Sequence, residues 1–183
     1  KISRIAEMSR DEVQKCCLNL SESNTEYSTQ IQQLTSAMLA FDEKEFNKNL
    51  SILILKIGME DTMANVIFPF LQHVGALWLS GAISIPHEHF ITNIIKQRIY
   101  SAIDAINIPT QPNAKTFVLF LPNGENHELS LLFANFMLRS RGQKVYYIGS
   151  STPFEDLVQL HNVHKPDVLF CALTNASNPI PVQ

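Results

Sequence analysis

No stretch of this sequence is apolar for long enough to cross a bilayer, and no charged leader with an apolar run marks a secretory signal. Cysteine is scarce. There are 3, two of them adjacent at Cys16 and Cys17, which gives neither a metal-ligand spacing nor a disulfide framework. A reducing, cytoplasmic setting is the simple expectation. Basic residues do not dominate: 14 Lys and Arg stand against 17 Asp and Glu, for a net charge of −3. With no basic patch, the chain by itself is not expected to bind DNA selectively. Nucleophile elbow, phosphate loop and paired catalytic carboxylates are all missing. Asp42-Glu43 and Glu60-Asp61 stand at expected helix starts and read as caps favoured by the helix dipole. Internal repeats and low-complexity tracts are absent too.

What is present is a chain of 183 residues, 45% hydrophobic, long enough for one medium core or two small ones. It begins at Lys1 without methionine and stops at Gln183 in the middle of an alternating pattern, so a fragment is expected. Residues 1–24 read as a helical leader, with Ser9 ahead of Asp11-Glu12 as a helix-start signature.

Residues 25–108 carry a helical period. Ile31, Leu34, Met38 and Leu39 form one stripe. Phe46, Leu50, Leu53 and Ile57 form a second, with Asp42 as N-cap and Gly58 as stop. Residues 59–79 give a third helix, with a kink predicted at Pro69 and an end at Gly81. A fourth starts at Pro86 and runs through Phe90, Ile94, Ile95, Ile99 and Ile103. Four helices with short connections predict a four-helix bundle.

Residues 109–113 are a linker. Residues 114–183 then alternate between periods: strand 116–121, helix from about 127 to 141, strand 144–148, helix 153–160 and strand 168–173. Alternation of this kind predicts right-handed crossovers and a parallel sheet. The fold class expected is α/β, a four-helix-bundle cap followed by a Rossmann-like parallel-sheet domain, incomplete at its C-terminal end.

That order puts His127 at a strand-to-helix turn, on the carboxyl edge of the sheet, where open α/β sheets bind ligands. Glu125, two residues earlier, is placed to orient its ring. A neutral imidazole nitrogen is a good ligand for a first-row transition ion. Thr152 lies on the same edge after the second strand.

Glu125-x-His127-x-x-Ser130 resembles the Asp-x-His-x-x-Gly loop of cobalamin-binding domains. Trp78, with Glu88-His89 after a nine-residue spacer, resembles the Trp-x9-Glu-His pattern in the helical cap of MerR-type, cobalamin-binding photoreceptor regulators of the CarH and LitR kind. Lys1-Ile2-Ser3-Arg4-Ile5-Ala6 is similar to the tail of a MerR-type winged helix-turn-helix domain. The resemblance spans nearly the whole chain. It implies cobalamin, adenosylcobalamin in particular, with His127 replacing the vitamin's own base as lower ligand to cobalt. It implies Trp78 over the upper face, and Glu88 and His89 bonded to ribose or adenine groups. It implies Ser130, Thr152 and Thr174 near the corrin ring or the nucleotide tail. It further implies a light-responsive homo-oligomer that reaches DNA through a domain outside this chain, and no enzymatic activity.

Two departures from the family pattern stand out. Serine replaces glycine at position 130, and Ala172 and Thr174 occupy the positions of a Ser-x-Leu motif, so the hydroxyl for the buried nucleotide base is missing at Ala172. They leave open a regulator whose sensor no longer binds cobalamin. A corrinoid-carrying module of a methyltransferase is a further alternative, having the same domain order. Zinc at His87, Glu88 and His89 is a weaker reading, because His-x-His on a helix splays its side chains and no third ligand is evident.

Overall fold

The computed structural model describes residues 26–173. The leader at 1–24 and Thr174 lie outside the described residues, as do Asn175 and Ser177. Two compact units divide between Ile95 and Lys96, inside a helix rather than at a linker.

The first unit is helical. Helix α1 is Ser28–Leu39 and α2 is Glu43–Thr62. The Asp42 side chain caps α2 by accepting from the Glu45 amide at 2.9 Å. Within α2 the helix breaks at Gly58, with φ 81° and ψ 168°, a conformation that favours glycine. A π-helical segment, Met63–Ile67, leads into α3, Phe68–Leu79. Pro69 stands in the first turn of α3. Its ring crowds the carbonyl four residues back, at Asn65, and the wider π turn is where that residue sits. The predicted kink thus takes the form of a π bulge.

Helix α3 ends where Gly81 turns left-handed at φ 73°. The Gly81 amide donates to the Trp78 carbonyl and the Ala82 amide to the Leu77 carbonyl, both at 3.0 Å. Helix α4, Ile85–Asp104, follows. Stripe positions Leu34, Met38, Phe46, Leu50 and Ile95 are at most 1% exposed and pack with Val66, Ile67, Phe70 and Ile91 in the core, whereas Leu39, 49% exposed, faces out. The Phe46 and Phe70 rings tilt against each other at 5.8 Å.

The second unit holds the rest of α4 and a parallel three-stranded sheet. Strand β1 is Thr116–Pro122, β2 is Lys144–Thr152 and β3 is Val168–Cys171. Helix α5, Leu129–Ser140, joins β1 to β2, and α6, Phe154–His164, joins β2 to β3. The strand order is β2-β1-β3, with β1 central. The chain leaves β1 for one side and returns to its other side, which makes the β1 carboxyl end a topological switch point. Leu119, Leu121, Leu131 and Val145 form the core between sheet and α5. Asn135 is buried on α5, but its Oδ1 accepts from Arg139 Nε at 2.7 Å, and Arg139 also donates to the Val145 carbonyl at 3.0 Å. No helix among the described residues is long and apolar enough to cross a membrane.

Strand β2 runs four residues past its expected end, through bulges opposite Leu119–Phe120 and Phe120–Pro122. Gly149 at φ 89° and Ser151 at φ 59° allow it. Helix α5 begins at Leu129, not at 127, so His127 belongs to the loop.

Candidate functional site

The loop after β1 is built by its own sequence. Pro122 to Glu125 form a tight turn, the Glu125 amide donating to the Pro122 carbonyl at 3.0 Å. Gly124, third in the turn, has φ 87°, which only glycine adopts at little cost. The turn brings the Glu125 side chain back over residue 127. One carboxylate oxygen, Oε1, accepts from the His127 backbone amide at 2.9 Å and lies 2.6 Å from the ring Nδ1.

This carboxylate is only 10% exposed, whereas the His127 side chain is 69% exposed. Glu125 is an acceptor, so the neutral ring carries its proton on Nδ1. Nε2 is then left with a lone pair on an accessible imidazole. A carboxylate on the far nitrogen also raises the basicity of the ligating one. Tautomer, basicity and access all suit a metal donor. The position suits it as well, since the loop leaves the carboxyl end of the central strand.

Other residues on this edge are more varied. Thr152 ends β2 opposite Pro122, and its Oγ1 is buried without a hydrogen-bond partner. A buried hydroxyl left unpaired is costly, so it is available to a ligand group that reaches it. Ser130 stands exposed in the first turn of α5. Ala172 packs against the sheet core and offers no hydroxyl there. Ser151 Oγ donates to Asn123 Oδ1 at 3.1 Å and ties the β2 end to the loop.

In the helical unit, Trp78 lies in the last turn of α3 and is 51% exposed; Leu79 and Ile85 are 60% and 55% exposed. Glu88 and His89 share the first turns of α4. Glu88 Oε1 accepts from Thr92 Oγ1 at 2.9 Å, and Oε2 lies 3.6 Å from His89 Nε2. His87 separates from them. Its Nδ1 accepts from the Ser84 amide at 3.3 Å, and its ring rests 4.5 Å from that of Phe41. That is a helix-start contact, and it takes His87 away from any shared site. Among the described residues no group of three or more His, Cys, Asp or Glu is placed to hold a metal ion. The structure thus pairs Glu125 with His127, and Glu88 with His89.

One cluster in the sheet unit escaped the sequence. Glu128 accepts from the Tyr147 hydroxyl of β2 at 2.7 Å and lies 3.5 Å from Lys96 Nζ on α4. Burial, then the hydrogen bond and charge of Glu128, push the Tyr147 phenol far above its ordinary value, so it stays a donor. Tyr100 is pushed up for the same leading reason, burial, with the Glu128 charge second.

Residues 30–102 match the family model of the B12 binding domain. That stretch contains Trp78, Glu88 and His89, and stops short of His127. The HTH-type transcriptional repressor CarH of Myxococcus xanthus is 26% identical over 136 residues, 74% of this chain and 44% of that protein. The HTH-type transcriptional repressor CarA of the same organism is 26% identical over 145 residues, 79% of this chain and 48% of that protein. The chain therefore spans a little under half the length of the curated relatives it matches. Among solved structures, the methanol:cobalamin methyltransferase complex MtaBC of Methanosarcina barkeri matches with a TM-score of 0.41 at 18% identity, over 84% of this chain and 60% of that one. A cobalamin-binding protein of Desulfitobacterium hafniense DCB-2 matches with a TM-score of 0.36 at 21% identity, over 79% and 69%. The match over residues 30–102, together with the two curated relatives, supports a B12-binding domain in this chain.

Proposed function

We propose that this chain is the cobalamin-binding sensory module of a MerR-like transcriptional regulator and not an enzyme. The observation that carries the reading is the Glu125–His127 pair, a 2.6 Å contact that fixes the imidazole tautomer on an exposed loop at the switch point of the sheet. His127 would hold cobalt through Nε2. Thr152 offers its unpaired hydroxyl to the nucleotide tail, and Ser130 and Thr174 are assigned to the same ligand. Trp78 would shield the cofactor from water, and Glu88 and His89 would hydrogen-bond its exchangeable group. Adenosylcobalamin, if held by these residues, would supply light-sensitive cobalt–carbon chemistry. The protein works as a homo-oligomer in the cytoplasm and meets DNA through a domain outside this chain.

The choice of regulator over methyltransferase module rests on the Trp78, Glu88 and His89 spacing and on the similarity to two transcriptional repressors. Two measurements test it. Incubation with a methyl donor and corrinoid should give no methyl exchange. Trp78→Ala should stay folded and lose the wild type's preference among adenosyl-, methyl- and hydroxocobalamin in dark equilibrium dialysis. Methyl exchange at a catalytic rate, or an unchanged preference in the folded variant, overturns the assignment.

A further inference from the structure

Glu128, next to His127, is held on three sides. Its Oε1 accepts from Tyr147 at 2.7 Å, and its Oε2 faces Lys96 at 3.5 Å. Gly149 closes the third side. A Cβ there would stand 3.2 Å from Glu128 Oε1, so the absence of a side chain makes room for the carboxylate.

An acidic residue before a helix usually caps it. Glu128 does not: its side chain makes no capping bond to α5. Its backbone belongs to both neighbours, the amide donating to the Asn126 carbonyl and the carbonyl accepting from Leu132, each at 2.9 Å. Anchoring the side chain, which is 17% exposed, therefore fixes the backbone one residue from the imidazole.

We propose that Glu128 is a positioning residue for His127: its carboxylate, gripped by Tyr147 and Lys96 beside the space left at Gly149, holds the loop that presents the imidazole. The inference rests on His127 being the cobalt ligand. Loop and ring are then fixed by two different acids. Glu125 sets the tautomer, and Glu128 sets where the loop stands. Less conformational freedom is left to lose when the ligand engages.

The test uses the full chain as wild type, His127→Ala, Glu128→Ala and Tyr147→Phe. Each is titrated with hydroxocobalamin in the dark and followed by absorption. Amide exchange of residues 124–128 is measured by NMR without cobalamin, with the 131–138 helix as internal control. Glu128→Ala and Tyr147→Phe are expected to speed exchange in the loop alone and to weaken the His127-dependent spectral change about tenfold. Should Glu128→Ala fail to fold, Tyr147→Phe, which removes one hydroxyl, decides. Wild-type affinity and spectrum in the folded variants overturn the proposal, whatever the loop exchange does. Identical spectra for wild type and His127→Ala overturn the cobalt-ligand reading itself, and the positioning role falls with it.

Discussion

Glu125 turns one oxygen toward two donors of the same residue, the amide and the ring of His127. That arrangement makes the pair sensitive to charge. In Glu125→Gln the acceptor remains but its charge does not, and the ring nitrogen opposite becomes a poorer donor to a metal. Cobalamin affinity is expected to fall about 10- to 100-fold, as for other partners behind a metal ligand. Equilibrium dialysis measures it, and an unchanged affinity contradicts the role given to Glu125. Gly149 is sensitive for a different reason. Its φ of 89° and the 3.2 Å approach to Glu128 both oppose a methyl group. Gly149→Ala should cost more than about 1 kcal/mol in urea unfolding; an unmoved midpoint argues that neither constraint matters. His127 and Glu125 were legible from their spacing and from the strand and helix that flank them. Glu128 was not, because an acid at a helix start reads as a cap, and its partners lie 19 and 32 residues away in sequence.

At the scale of elements, the helices were legible because their apolar stripes repeat with the helical period and Asp42, Gly58 and Gly81 mark their ends. The π bulge at Met63–Ile67 has no such pattern; it follows from where Pro69 falls in a continuous rod. The true end of β2 was hidden as well, since Gly149 and the left-handed Ser151 look like a strand stop and instead sit in bulges. Phe46 on α2 is fully buried against Phe70, so Phe46→Ala should destabilise the helical unit by about 3–5 kcal/mol. Calorimetry checks this, and a loss below about 1 kcal/mol, the size of a surface change, contradicts the packing.

His73 on α3 gives the element a pH dependence. Burial lowers its pKa below the ordinary 6.5. Between the lowered value and 6.5 the unfolded chain binds more protons than the folded one, so stability falls as pH drops through that window. His73→Gln should flatten the decline of the thermal midpoint below pH 6.5. Parallel profiles for the two proteins count against it.

For the whole molecule, the net charge of −3 gives no electrostatic hold on nucleic acid. This chain alone should bind operator DNA no more tightly than random DNA at physiological salt, as read by a filter or mobility assay. Selective binding would sink that expectation. If the photoreceptor resemblance extends to switching, full-length protein loaded with adenosylcobalamin should change its subunit number on green illumination. Light scattering after size exclusion reads it. Equal masses, with photolysis seen in the spectrum, leave a cobalamin sensor without a light switch.

The claim on which all of this rests is that cobalamin binds with His127 as its lower ligand. The most direct measurement is the absorption spectrum of purified protein, wild type and His127→Ala, after dark incubation with hydroxocobalamin. The wild type should retain the cofactor through desalting, with a cobalt spectrum distinct from that of the free vitamin. His127→Ala should lose the cofactor or revert to a different spectrum. The same spectrum and the same retention in both proteins would contradict the assignment.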